Sequence, residues 1–209
     1  ICSIMVVGSV KGWFDDETKE KGLSVSEKTG IAMVERSGIA YEVSEEDVVR
    51  EADKLYTKIA STLKLGDADR VRISLDANAE ILITKFGEAF SFEVLHGEAF
   101  VDARGKTNVT AISSNTKATL DGAVVSVSTQ AGSSMVYVYE GSISLTRAEE
   151  TVTADAGQVV TVVINSDKMK LADFKVNSLS EDQITNLIKC GMDETSCFSK
   201  TNLEKVRTD

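Results

Sequence analysis

The sequence predicts a mainly β protein: a wound stack of strands, solenoid-like or sandwich-like, with one inserted helix and one C-terminal helix. Three observations carry this expectation. The long middle of the chain alternates apolar and polar residues at period two, in segments such as "RVRISL", "EILITKF", "EAFSFEVL", "NVTAIS", "SMVYVYE" and "QVVTVVI", all rich in Val, Ile, Thr and aromatics. Glycine recurs at the apparent strand starts, giving "GEAFSF", "GEAFVD", "GAVVSV", "GSISLT" and "GQVVTV". Proline is absent, so the chain must reverse on Gly, Asn, Asp and Ser.

Taken in order, residues 1–28 form an apolar arm and a charged linker. "ICSIMVVGSV" is too short for a spanning helix, which needs about 20 apolar residues, and it lacks the basic start of a signal peptide. "TGIAMVERSGIAYEV" holds two short apolar runs, each opened by a glycine (Gly30, Gly38), and predicts a β-hairpin. In "SEEDVVREADKLYTKIAST" the period changes. Val48, Val49, Ala52, Leu55, Tyr56 and Ile59 share one face at 3.6-residue spacing, and Ser44 with Asp47 makes a capping box, predicting a helix over about 45–60. The strands then run to about residue 165. The sequence Gly-Glu-Ala-Phe occurs twice, at Gly87 and Gly97, and predicts two consecutive turns of the stack with Phe90 and Phe100 in equivalent inward positions. The glycine spacing is irregular, which argues against a strict solenoid and for a hairpin-built stack. The expected β domain spans 29–165. Residues 166–209 form a C-terminal segment that packs back through a helix at about 181–190, capped by Ser180, with Ile184, Leu187 and Ile188 inward and Gly191 as its stop.

With 209 residues, a formal net charge of -10 and no basic cluster, the chain repels phosphate, which argues against sequence-independent nucleic-acid binding. Cys190 and Cys197 bracket the short loop "CGMDETSC". Two free thiols near a helix end is the plain alternative; the expected disulfide would contribute roughly 2–3 kcal/mol and favour an extracytoplasmic location. Cys2 is left over, either free or paired with another chain.

The order of motifs "VLHGEAFVDA", "AVVSVST", "VYVYEGSISLT" and "ADAGQVVTV", with "LKLGDADRVRISLDANAEILI" upstream, resembles the FecR-like domain of bacteria and archaea, over roughly residues 29–165. "LDGAVVSV" departs from the turn usual in that family before the middle strand. The resemblance implies an all-β extracytoplasmic module, found in the periplasmic part of signalling regulators or as a surface-associated module, and not known as a catalyst.

The candidate chemistry is sparse. His96 is the single histidine, beside Gly97, with no second ligand or nucleophile nearby in sequence. "GDADR" (Gly66–Arg70) lacks the further acids of a calcium loop. There is no nucleophile elbow, P-loop or dinucleotide fingerprint. No catalytic residue, cofactor or metal is therefore expected, and the protein is expected to be non-enzymatic. "NVT" makes Asn108 a glycosylation candidate. Two function classes follow. The first is a self-assembling surface or filament subunit, in which residues 1–14 donate a strand to a neighbour's open edge through Ile4, Val6, Val10 and Trp13. The second is the sensor portion of a FecR-type transmembrane regulator, with residues 1–14 ending a membrane segment. The expected partners are further copies of the chain, or a membrane or cell envelope.

Overall fold

The computed structural model describes residues 22–66, 71–163 and 169–173. All of its regular elements there are strands. They are β1 (Leu23–Thr29), β2 (Ala32–Arg36), β3 (Ile39–Glu42), β4 (Val48–Val49), β5 (Lys54–Thr57), β6 (Thr62–Leu65), β7 (Arg72–Leu75), β8 (Glu80–Lys85) and β9 (Phe90–Asp102). Beyond them come β10 (Val109–Ser113), β11 (Thr116–Thr119), β12 (Val124–Gln130), β13 (Ser133–Glu140), β14 (Ser142–Arg147), β15 (Glu150–Asp155), β16 (Gln158–Val163) and β17 (Met169–Asp173).

The pairings give two sheets that share one long strand. Sheet I runs β1–β6–β7–β9–β12–β13–β16–β17, antiparallel throughout. Sheet II runs β3–β2–β5–β8–β9–β10–β11–β14–β15, antiparallel except for the parallel β9–β10 pair. The first half of β9 belongs to sheet II and the second half to sheet I. The sheets face each other across one apolar interior. Leu63, Ile73, Leu75, Val101, Val127 and Val138 come from sheet I, and Val34, Leu55, Ile81, Phe92, Ala118 and Leu145 from sheet II. At one end the layers are tied by hydroxyls, with Ser113 Oγ 2.6 Å from both Thr129 Oγ1 and Ser134 Oγ.

The chain winds between the sheets, and a residue at positive φ marks each described switch. These are Gly30, Ala60, Asn78, Gly97, Asn108, Gly122, Gly141 and Gly157. The wound, hairpin-built β stack therefore stands. The hairpin at 30–42 also stands: Ser37 and Gly38, at φ 52 and 78, form the two-residue turn between β2 and β3, whose left-handed pair matches strand twist.

The helix over 45–60 does not form; β4, β5 and three turns occupy it. Half of the capping box is present, since the Ser44 N–H donates to Asp47 Oδ2 at 2.7 Å. It closes a turn rather than a helix, because Glu46 adopts φ 72 and β4 follows. Ala52 and Ala60 also take left-handed φ (68 and 55), so two further reversals are built without the glycine that normally advertises them. Asp53, 1 % exposed, fixes this region. Arg36 donates Nε to Oδ1 at 2.7 Å and Nη2 to Oδ2 at 2.6 Å, while the Arg50 N–H reaches Oδ2 at 2.8 Å. Of the supposed helical stripe, Val49 and Leu55 are buried but Ile59 is 81 % exposed. The helix expected at 181–190 lies outside the described residues.

The two Gly-Glu-Ala-Phe copies are not successive turns either. Both phenylalanines lie on the single strand β9, and Gly97 sits inside it. Its φ of 77 and a register shift opposite Glu80 offset the alternation by one residue. Phe90, Phe92 and Val94 face the interior before the bend, and Ala99, Val101 and Ala103 after it. Phe100 is thereby turned onto the opposite face, so it is not the equivalent of Phe90. A Cβ on Gly97 would stand 2.6 Å from Ala79 Cα and 2.7 Å from the Asn78 carbonyl oxygen, so only glycine fits this crossing.

Candidate interaction surface

The sequence-predicted positions scatter. Ile4, Val6, Val10, Trp13, Cys2, Cys190 and Cys197 lie outside the described residues, as do residues 67–70 of the "GDADR" turn. Asn108 is exposed at the β9–β10 crossing with φ 60, and its carbonyl accepts the Phe90 N–H at 3.0 Å. His96 is exposed on β9 beside a hollow of about 360 Å³ that Asp76, Glu98 and Ser128 also line. No hydrogen bond joins His96 to Ser128. Among the described residues no group of three or more His, Cys, Asp or Glu could hold a metal ion.

A second hollow, of about 380 Å³, opens at the edge of the sandwich between Leu23, Val71, Phe86, Phe90, Lys106 and Val109. Its floor is aromatic: Phe86 meets Phe90 edge-on at 5.9 Å, and Phe90 stacks on Phe92 at 5.8 Å. The turn 86–89 and the β9–β10 connection place these rings, and the Phe86 N–H is held by Glu51 Oε2 at 3.0 Å.

The unexpected feature is the face of sheet I that points away from the interior. One row across it runs Lys64–Ser74–Phe100–Ser126–Tyr137 by strand register. Lys64, Ser74, Phe100 and Ser126 are 5 %, 2 %, 0 % and 0 % exposed. Phe100 stacks on Tyr139 with ring centres 5.5 Å apart, and the Tyr139 hydroxyl lies 3.2 Å from Ser126 Oγ. At the end of this face Asp102, 5 % exposed, anchors an ionic node. It accepts Arg72 Nη2 at 2.5 Å, Arg104 Nη2 at 2.8 Å, and both Arg104 Nε and the Arg104 backbone N–H at 3.0 Å. Burial alone would push the Asp102 carboxyl up. The bonds from Arg104 and Arg72 outweigh it and hold the group at about 2. Arg104 also reaches Glu140 at 3.6 Å. Sequence reasoning passed over this node. Its one local signal is the Asp-Ala-Arg spacing in "VDARGK", which sets Asp102 and Arg104 on the same side of an extended chain.

Among the described residues, the accessible feature that suits binding is the aromatic hollow at the edge of the two β layers. Residues 53–144 match the family model described as FecR protein, so the chain contains a FecR-like domain. No curated protein matches the chain. Among solved structures it is similar to a Parabacteroides distasonis protein provisionally described as an anti-sigma factor. The 1.65 Å crystal structure of that protein gives a TM-score of 0.50 at 16% identity, over 57% of this chain and 59% of that one. A 2.50 Å structure under the same description gives 0.49 at the same identity and coverage. The likeness at this identity is one of fold, and it spans less than two thirds of the other protein.

Proposed function

We propose that the chain is the extracytoplasmic sensor portion of a FecR-type signalling regulator, acting by binding rather than by catalysis. The observation that carries this reading is the match of residues 53–144 to the FecR model. The fold shared with a protein described as an anti-sigma factor agrees with it. The same comparisons favour it over the self-assembling filament subunit. The net charge of -10 suits recognition of a protein or envelope component rather than nucleic acid.

The test is an in-frame deletion of residues 22–173 from the chromosomal gene, followed by transcriptome sequencing. A sensor removed from its regulator changes a small set of transcripts by several-fold in either direction. An unchanged transcriptome, together with loss of a surface polymer, would reinstate the structural reading.

A further inference from the structure

The hollow at the edge of the sandwich has the make-up of a preformed ligand site. Its volume of about 380 Å³ falls at the small end of the range for ligand pockets, about 300–1,000 Å³. Gly87, Glu88 and Thr107 form an exposed mouth, and a Cβ added to Gly87 would meet no atom within 4 Å. Beneath the mouth Leu23, Val71, Phe90 and Val109 are each at most 8 % exposed. The rings are held before any ligand arrives. Phe90 rests on the buried Phe92, its N–H is bonded to the Asn108 carbonyl at 3.0 Å, and Glu51 holds the Phe86 N–H. Little therefore has to be ordered on binding.

We propose that this hollow binds an uncharged aromatic molecule of one or two rings. The inference deepens the sensor reading, on which the role of such a ligand in signalling rests. Three observations select this class. Phe86 and Phe90 meet at an interplanar angle of 83°, so a ring entering between them stacks on one and meets the other edge-on, the two arrangements that aromatic pairs prefer. The two charged residues of the lining, Glu88 and Lys106, are opposite in sign. Although the chain carries a net charge of -10, the hollow therefore has no net attraction for an anion or a cation. Finally, the lining converges from separate stretches of chain, at Leu23, at Val71, in the turn before β9 and in the connection before β10. Walls on several sides make a recess for a compact molecule rather than a groove for an extended chain.

Titration of the isotope-labelled full chain with indole, followed by NMR, tests this. The backbone N–H signals of Gly87, Glu88, Thr107 and Val109 should move together and saturate at millimolar indole or below. Phe86→Ala removes one wall and should weaken binding about tenfold or more. Thr107→Trp, at an exposed position of the mouth, should abolish binding by filling the recess, and it keeps the test decisive if Phe86→Ala does not fold. Ile59→Ala, at an exposed apolar side chain outside the hollow, should change nothing. Indoleacetate and tryptamine, which carry opposite charges, should each bind more weakly than indole. The proposal is overturned if the shifts do not saturate, if they spread equally to Ile39 and Ile59, or if neither variant at the hollow weakens binding. It is also overturned if a charged analogue binds more tightly than indole. Tighter binding of N-acetyltryptophanamide would overturn it too, because the occupant would then be a side chain of a protein partner. The readout is binding to this chain, so its failure is distinct from that of the regulator reading, which is measured in transcripts.

Discussion

On sheet II the side chains pointing away from the interior include Glu35, Lys54, Tyr56, Glu80, Thr119, Thr146 and Thr153, all half-buried or exposed. On sheet I the corresponding side chains include Lys64, Ser74, Glu98, Phe100, Asp102 and Ser126, all buried. Both faces were written with polar residues at period two. The difference shows in the ion pairs. Lys54 bridges Glu35 at 3.1 Å and Glu80 at 3.4 Å with all three side chains 35–39 % open to solvent. Asp102 is withdrawn from water and engaged by two arginines. A polar residue on alternate strand positions therefore says which side of the sheet it occupies, and says nothing about whether that side is wet.

The largest expected effect separates the two faces by truncation of an aromatic. Phe100→Ala should cost about 3–5 kcal/mol, the range for a fully buried phenylalanine, although it lies outside the interior. Tyr56→Ala, half-buried on sheet II over Lys58, should cost about 1 kcal/mol or less. Urea unfolding of both variants measures the gap. Equal midpoints would mean that the outer face of sheet I is as open as that of sheet II.

An intermediate effect comes from acid. The bonds from Arg104 and Arg72 hold the Asp102 carboxyl at about 2 in the folded protein, below the 3.8 of an unperturbed aspartate. The unfolded chain therefore takes up this proton first. The stabilisation is fully present above about pH 4 and is lost as pH falls toward 2. It amounts to about 2 kcal/mol at neutral pH. Asp102→Asn should be less stable than the parent at pH 7 by about that amount or somewhat more, because Arg72 and Arg104 lose their counter-charge. The difference should narrow steadily between pH 4 and pH 2. A gap independent of pH would assign the loss to packing instead of charge.

Much of the fold was legible because its signals were local. Period-two runs gave strands β7 to β10 and β12 to β16, with β9 read as two runs and β11 passed over, and Gly122, Gly141 and Gly157 gave three of the switches between layers. The stretch 45–60 was misread for a physical reason. Its reversals rest on Glu46, Ala52 and Ala60 in left-handed conformations, residue types that ordinarily favour helices, while its apolar residues happen to satisfy a 3.6 spacing. Tertiary bonds to Asp53 and strand pairing with β2 and β8 overrode that local preference. The Phe90–Phe100 equivalence failed because one bend at Gly97 shifts parity, which a sequence of alternating residues does not display. The candidate surface was least legible: Arg72, Asp102 and Tyr139 are far apart in sequence, and strand register alone assembles them.

The smallest effect concerns the open ion pairs of sheet II, and it sharpens the contrast by its dependence on salt. Lys54 has its ammonium pKa raised, first by its hydrogen bond to Glu35, then by that to Glu80. A raised lysine pKa means that its contribution persists through neutral pH and is lost only above its ordinary range. The group is exposed, however, so water and counter-ions compete for it. Lys54→Met should lower the urea midpoint only slightly in dilute buffer. In about 1 M sodium chloride, where the screening length is about 3 Å, the difference from the parent should vanish. Asp102→Asn should keep most of its deficit in the same salt, because ions do not reach a carboxylate enclosed by Arg72, Arg104 and the sheet. If salt erased both deficits alike, the Asp102 node would be a surface cluster and the outer face of sheet I would be wet.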